Sequence, residues 1–221
     1  MNHRYRGFLL PGLLALAGGV ALMVDLPIGK LFSVWNSEKT AFDKTIHEYL
    51  GYFDIFEPFG HGLGVLLVLL ALHQLDPGRR WAIPRIATCA FAAGGIADLV
   101  KLLIVRTRPK FFNFDDPALT TFGQRLPGFF ADSGGQSFPS AHTATAMALA
   151  AALIWLYPNG RVLFSVLAVL VGCQRITSGA HFPSDVFFGT AVGCAVAQLW
   201  LNAGFVSRRF ETWESRWRAA R

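Results

Sequence analysis

The stretch GQSFPSAHTATA, residues 135–146, places a polar segment directly before one of the most apolar runs of the chain. Ser140 is a good N-cap residue, so a helix is predicted to begin after it and to continue through the apolar run at 141–157. The first N–H groups of such a helix have no intrahelical acceptor, and together with the helix dipole they form an anion site. The stretch therefore predicts an apolar helix with a polar start that can hold an anion such as phosphate.

Apolar residues form long blocks along the whole chain. Of its 221 residues, 53% are hydrophobic and only 15% are charged, which is less charge than a soluble domain carries. Several blocks approach the roughly 20 residues that a helix needs to cross a bilayer. The sequence therefore predicts an all-α fold, an integral-membrane six-helix bundle that forms a single domain over 1–221. The six predicted spans are 8–24, 60–75, 82–105, 141–157, 162–178 and 184–203.

The positive charges favour one orientation of this bundle in the membrane. The net charge is +6, and arginines precede the first span and follow the second, fourth and sixth spans, at Arg4, Arg6, Arg79, Arg80, Arg161, Arg208, Arg209, Arg216, Arg218 and Arg221. The positive-inside rule therefore places both termini in the cytoplasm, with 205–221 as a basic cytoplasmic tail. The loops 25–59, 106–140 and 176–183 then lie on the outer face. Because the charge follows this alternation, it indicates a membrane protein and not a nucleic-acid surface.

The first block has an alternative interpretation as a signal peptide. Ala15-Leu16-Ala17 has the form of a cleavage site after a basic N-terminus. Apolar residues nevertheless continue to Val24, which favours a retained first helix.

Two outer segments are candidates for contact with lipid. Apolar residues recur at helical spacing within 35–57, which predicts a short interfacial helix in the first outer loop, either a lid or a packed connector. The loop 110–138 is rich in Phe and either lines a path for lipid chains or anchors the protein at the interface. Elsewhere, Cys89, Cys173 and Cys194 lie inside apolar blocks and are predicted to be buried free thiols.

Two cations end the third predicted span. It closes with KLLIVRTRP, residues 101–109. Seven residues of helix turn by about 700°, so Lys101 and Arg108 are expected on one helix face. Asp98 lies one turn before Lys101 and is expected to pair with it in a structural role.

A second cluster of ionisable residues lies where the fifth and sixth predicted spans are connected. The sequence QRITSGAHFPSD, residues 174–185, contains Arg175, His181 and Asp185. Pro183 suits the first turn of the sixth helix, so the Asp185 carboxylate is predicted to reach the His181 imidazole. Each such residue alone has a structural explanation, such as a packed histidine or a lysine that reaches the interface. These residues come from three different spans and are predicted to lie on one side of the membrane. That arrangement favours a functional site, because ionisable residues in membranes are costly.

The residue types in this group suit phosphoryl transfer. Three cations, Lys101, Arg108 and Arg175, favour a polyanionic ligand and would repel a metal ion, so neither a metal nor another cofactor is expected. His181, with one nitrogen held by Asp185, fits a nucleophile that attacks phosphorus. His142, in the first turn of the fourth span, fits the acid that protonates the leaving oxygen.

At these residues the sequence resembles the type 2 phosphatidic acid phosphatase family, which includes vanadium haloperoxidases and bacterial acid phosphatases. The three family motifs correspond here to Lys101 with Arg108-Pro109, to Pro139-Ser140-Ala141-His142, and to Gln174-Arg175 with His181 and Asp185. The resemblance implies a phosphohistidine at His181, His142 as the acid and a site on the non-cytoplasmic face of a helical bundle. It further implies that Lys101, Arg108, Ser140, Ala141 and Arg175 bind the substrate.

Two positions depart from the family pattern. Ala141 replaces the usual Gly, which narrows the backbone range and adds a methyl group near the phosphate. Gln174 replaces the usual Ser, so one supporting hydrogen bond is expected to differ. Neither change removes a catalytic group. His61, at the start of the second span, is expected to be packed or interfacial.

The expected partners are a phosphorylated membrane lipid and the bilayer, and the oligomeric state stays open. The favoured function is a lipid phosphatase of a bacterial-type inner membrane with a periplasmic site. The motifs within 101–185 leave the headgroup open among phosphatidic acid, phosphatidylglycerol phosphate, undecaprenyl diphosphate and a lipid A phosphate. A lipid phosphotransferase with the same site, or a phospholipid-binding or transport protein without catalysis, are the alternatives. Six spans suit a lipid better than the small substrates of a haloperoxidase.

Overall fold

The computed structural model describes residues 7–37, 48–123, 133–202 and 204–219, and in these ranges the chain is helical apart from two isolated bridges and connecting loops. Short 3₁₀ helices occur in the connections, including Tyr52–Phe56. The helices are α1 Leu9–Ala21, α2 Asp25–Ser37, α3 Glu57–Gly60, α4 Gly62–Leu75, α5 Ile83–Leu103, α6 Ala141–Leu156, α7 Arg161–Thr177, α8 Pro183–Ala197 and α9 Phe205–Ala219.

In the described residues, helices occur at the positions of the six predicted spans, and up to five of them are long and apolar enough to cross a membrane. Three helical stretches are each long and apolar enough to cross a bilayer: 77–103, 158–177 and 183–202. Two bent pairs pass the same test together, α1 with α2 at 71° and the 48–60 helical segment with α4 at 64°. Helix α6, with 16 residues, is apolar but shorter. The bundle is therefore the predicted all-α membrane fold, with breaks in its first and second spans.

Helix α6 is the centre of the bundle and packs against α5, α7 and α8. Its inner positions are small, and Ala144, Ala148 and Ala152 are fully buried. Gly193 of α8 allows one of these contacts, because a Cβ there would lie 2.5 Å from the carbonyl oxygen of Ala144. Close approach of the backbones compensates for the short side chains, as is common in membrane helix packing. The polar start of α6 is thus held at a fixed depth by its neighbours.

The outer loop predicted at 25–59 is helical in much of its described part. The first span stops at Ala21 and the chain turns into α2, where Asp25 is only 2% exposed. Within the predicted interfacial helix at 35–57, residues 38–47 lie outside the described residues. Residues 52–60 form the 3₁₀ helix and α3, which pack on α6 and α7.

One prediction about the cysteines is wrong. All three are free, and Cys89 and Cys194 are buried, but Cys173 is exposed. It lies on the outward face of α7, where an apolar residue faces lipid instead of the protein core. An apolar run alone does not distinguish these two environments.

The C-terminal tail forms helix α9, which packs at the end of the bundle opposite the start of α6. Arg85 of α5 is buried, and its Nε lies 2.8 Å from Oε1 of Glu214 on α9. The Arg85 guanidinium also stacks over the rings of Trp155 and Phe210. Gly7, near the N-terminus, approaches Gln198 at this same end. The first and last helices therefore begin and finish on one side, opposite the start of α6.

Candidate active site

The N-terminus of α6 has the geometry that the sequence predicts. Ser140 is the N-cap, and its Oγ accepts from the Thr143 N–H at 3.4 Å. The Ser140 N–H donates to the backbone carbonyl of Asp185 at 3.0 Å, which joins the starts of α6 and α8. The first-turn amides of Ala141 and His142 have no intrahelical acceptor and are available to an anion. Ala141 is buried in the main hydrophobic cluster, so the departure from Gly is accommodated by packing.

The pair of His181 and Asp185 stands at the start of α8, as predicted. Pro183 begins the helix, and Asp185 Oδ2 accepts from the backbone N–H of Phe182 at 2.9 Å. The Ser137 hydroxyl donates to the same oxygen at 2.6 Å. His181 Nδ1 lies 3.7 Å from Oδ2, an ion-pair distance that is too long for a hydrogen bond. With Nδ1 facing the carboxylate, Nε2 of His181 is the nitrogen left to react.

The surroundings of His181 keep its imidazole neutral. It is 2% exposed, and burial lowers its pKa below the ordinary value. Asp185 opposes this change, whereas the charges of Lys101 and Arg108 lower the pKa further. A neutral imidazole is the nucleophilic form, so the environment suits the role predicted for His181.

Asp185 belongs to a buried network of ion pairs that was not predicted from the sequence. Arg106 is 1% exposed and donates to the Asp185 carboxylate and to Ser184 Oγ, the latter at 2.7 Å. Its Nη2 donates to Asp25 Oδ2 at 2.7 Å. Asp25 in turn accepts from the Ser184 backbone N–H at 2.9 Å. Two carboxylates, one from α2 and one from α8, are therefore joined by one guanidinium.

Aromatic rings and backbone contacts hold Arg106 in this place. The guanidinium lies between the rings of Phe122 and Phe182, 4.5 and 4.3 Å from their centroids. Its backbone N–H donates to Gly135 at 2.9 Å, and its carbonyl accepts from Ser137 at 2.9 Å. The loop that carries Ser137 is thus bound to the segment after α5, which places its hydroxyl against Asp185.

The prediction that Lys101 and Arg108 share one helix face is wrong. Helix α5 ends at Leu103, and Ile104 is extended with φ −123°. The chain then stays extended because its amides pair with the 133–137 loop, including Arg108 N–H to the Gly134 carbonyl at 2.8 Å. Both cations nevertheless reach the site, since both act electrostatically on His181.

The two cations differ in their partners. Lys101 is 8% exposed and donates to Asp98 at 2.9 Å, which confirms the predicted pair. Arg108 has a buried Nε that makes no hydrogen bond with any described residue. Burial lowers the pKa of the Arg108 guanidinium, and the like charge of Arg175 acts in the same direction. Two crowded guanidinium groups at one place indicate a site that is completed by an anion.

Arg175 and His142 share a carboxylate that was not among the predicted site residues. Arg175 Nη2 lies 3.1 Å from Glu57 Oε1, and His142 Nε2 lies 3.5 Å from the same oxygen. Arg175 Nε also donates to Gln174 Oε1 at 2.5 Å, and Gln174 Nε2 donates to Asp54 at 2.7 Å. The Gln174 departure from the family pattern therefore has a role here, because it links Arg175 to the 52–60 segment.

A cavity of about 370 Å³ adjoins His142. Its walls carry His61, Asp98 and Thr145, and the remainder is formed by Phe91, Ala141 and four glycines of α3 to α5. The His61 ring is 5.7 Å from the His142 ring, and its Nδ1 caps the start of α4 by accepting from Leu63 N–H at 3.3 Å. His61 is therefore at the edge of the site with a capping role. Among the described residues, no three His, Cys, Asp or Glu side chains converge as a metal site would require.

Sequence reasoning thus missed five residues that the fold brings to the site. The RxR spacing of Arg106 with Arg108 was a visible signal for one of them, whereas the others are carboxylates and hydroxyls in ordinary loop or helix positions. The missed residues are Asp25, Glu57, Arg106, Ser137 and Ser184.

Curated relatives of this chain are phosphatases of lipid phosphates. A lipid A 1-phosphatase of Rhizobium johnstonii is 40% identical over 101 residues, which is 46% of this chain and 39% of that protein. The chain therefore matches less than half the length of that relative. A decaprenylphosphoryl-5-phosphoribose phosphatase of Mycobacterium tuberculosis is 36% identical over 142 residues, which is 63% of this chain and 71% of that protein.

The fold also has a counterpart among solved structures. A transmembrane PAP2 type phosphatidylglycerolphosphate phosphatase from Bacillus subtilis superposes with a TM-score of 0.55 at 18% identity, over 90% of this chain and 94% of that one. The sequence profile of the PAP2 superfamily matches residues 84–209, more than half of the chain and all three motifs. This match shows that the chain belongs to the PAP2 superfamily.

Proposed function

We propose that this chain is an integral-membrane lipid phosphatase that hydrolyses a lipid phosphomonoester or diphosphate through a phosphohistidine at His181. One observation carries the proposal: His181 with its Asp185 partner, His142 and the cations Arg108 and Arg175 converge beside the free amides of the α6 N-terminus. This set supplies a nucleophile, an acid and an anion-binding group in one place.

The first step transfers the phosphoryl group to the protein. Nε2 of His181 attacks phosphorus while the bond between phosphorus and the leaving oxygen breaks. The proton of the His142 imidazolium passes to that oxygen, which departs as an alcohol or as a phosphorylated lipid. Asp185 stabilises the charge that develops on the His181 ring. Lys101, Arg108 and Arg175, with the first amides of α6, stabilise the equatorial oxygens.

The second step returns the protein to its starting state. A water molecule attacks phosphorus, and the neutral His142 takes up one of its protons. The bond between phosphorus and His181 Nε2 then breaks, and inorganic phosphate leaves. None of these steps requires a metal ion, because the fixed cations provide the charge neutralisation.

The substrate follows from the membrane bundle and from the relatives. Because those relatives are named for lipid A and for decaprenylphosphoryl-5-phosphoribose, a phosphorylated lipid is the substrate class that we infer here. The cavity beside His142 offers room for the part of the lipid next to the leaving oxygen.

We further propose that the site lies on the periplasmic face of a bacterial inner membrane. The basic residues Arg79, Arg80 and Arg161 lie in connections at the end of the bundle opposite the start of α6, and α9 adds further arginines there. By the positive-inside rule, this basic end is cytoplasmic and both termini lie there.

The test is phosphate release by purified protein in detergent with EDTA present. The panel contains phosphatidic acid, phosphatidylglycerol phosphate, undecaprenyl diphosphate and lipid A, and each is assayed with wild type and with His181→Ala. We expect release from at least one lipid by wild type and none by the variant. Release that EDTA abolishes would contradict the mechanism, and transfer of phosphate to a second lipid without release would favour a phosphotransferase.

A further inference from the structure

The segment that leads into the second span packs tightly against the start of α6. Glu57 opens α3, and Gly60 closes it. A Cβ at Gly60 would lie 2.6 Å from the backbone carbonyl oxygen of His142, so only glycine permits this approach. The contact holds the α3 backbone, and with it Glu57, directly over the first turn of α6.

The Glu57 carboxylate is the anion beside the predicted leaving-group acid. Two bases, Arg175 and Lys101, carry fixed positive charges that act on His142. Asp98 lines the neighbouring cavity but is paired with Lys101. His142 Nε2 is buried and makes no hydrogen bond with any described residue. An imidazolium among these bases needs an anion, and Glu57 Oε1 at 3.5 Å is placed to supply it.

We propose that Glu57 is a positioning residue for His142: it orients the ring and stabilises the protonated form that delivers a proton to the leaving oxygen. Arg175 holds the carboxylate from the other side at 3.1 Å. Arg175 is itself fixed by Gln174, which Asp54 of the same segment binds in turn. The inference rests on the proposed function, since it assigns a role within that reaction.

The dependence of the rate on the leaving group provides the test. An alkyl alcohol needs the proton from His142 to depart, whereas a nitrophenolate departs without one. The two probes are dioctanoyl phosphatidic acid and an alkyl-substituted 4-nitrophenyl phosphate, both assayed in one detergent. Glu57→Gln preserves the shape and removes the charge. Glu48→Gln is the matched control, because it removes the same charge from an exposed residue of the same segment.

We expect Glu57→Gln to lower kcat on phosphatidic acid by about 10- to 100-fold, part of the contribution of a general acid, and to change the nitrophenyl reaction by less than about threefold. Glu57→Asp should recover part of the loss. In a His142→Ala background, Glu57→Gln should have no further effect on phosphatidic acid, since the two residues act as one unit. A merely structural role would lower both reactions together.

The failures of the two proposals are distinguishable. Equal losses on both probes, an unchanged phosphatidic acid rate, or an additive loss in the His142→Ala background would overturn the role of Glu57 and leave the phosphatase intact. If wild type releases no phosphate from any lipid of the panel, or if His181→Ala retains activity, the proposed function itself fails.

Discussion

The buried network around Arg106 makes a quantitative prediction for Asp25→Asn. Asp25 is 2% exposed and accepts three hydrogen bonds, from Arg106 Nη2 and from the backbone and hydroxyl of Ser184. The substitution retains the size of the side chain but removes the charge opposite a guanidinium that is 1% exposed. Removing one member of a buried ion pair costs about 3–5 kcal/mol, because the other charge stays buried with less compensation.

This loss should be visible in both stability and activity. For a protein of this length, a loss of that size lowers the unfolding midpoint by roughly 10 °C. Activity should fall as well, because Arg106 also binds Asp185 and thereby supports His181. Thermal unfolding in detergent and phosphate release at a temperature well below both midpoints measure the two effects separately.

Two further variants decide whether the pairing is the cause. Asp116→Asn is the matched control, since Asp116 is exposed and lies in the loop 110–138. Replacing both partners, with Asp25→Leu and Arg106→Met together, should cost less stability than the sum of the single changes. The reasoning is refuted if Asp25→Asn unfolds within about 2 °C of wild type, or if the double change is fully additive.

Three other predictions follow from the described contacts. Burial lowers the pKa of His181, so its neutral form persists as the pH falls. The acidic limb of the pH profile of kcat/KM should therefore lie below the ordinary histidine pKa of about 6.5. A profile with that limb above 6.5 would contradict this. Ser137→Ala removes the 2.6 Å hydrogen bond to Asp185 and should lower kcat about tenfold with little change in KM, which steady-state kinetics measures. Glu214→Gln leaves Arg85 without its buried partner and should lower the unfolding midpoint, while kcat stays within about twofold because the pair lies at the opposite end of the bundle.

Much of the fold was accessible from the sequence because apolar periodicity and capping are local signals. The six apolar blocks, the Ser140 N-cap and Pro183 at the start of the sixth span depend on neighbours within a few residues. The bends in the first two spans were not predicted, since the apolar run continues from Ala21 through Val24 without a break.

The supporting residues of the site were not accessible for a different reason. Arg106 and Asp25 are 81 residues apart in the sequence. Their side chains meet because the bend after α1 turns α2 toward the protein interior. The position of Glu57 beside His142 similarly depends on the close approach of the Gly60 backbone to the start of α6. In the sequence both carboxylates belong to an acidic outer loop, where a solvated side chain is the ordinary expectation. Only the packing distinguishes them from the exposed Glu48.

The role of His181 as nucleophile is tested most directly by trapping the phosphorylated protein. Wild type and His181→Ala are mixed with a ³²P-labelled lipid phosphate in EDTA, quenched in alkali within milliseconds to seconds and digested for mapping. We predict a label that is stable in alkali, labile in acid and located on the peptide that contains His181, and no label on the variant. A label on any other residue, or rapid phosphate release by wild type with no labelled protein at any time, would contradict the mechanism.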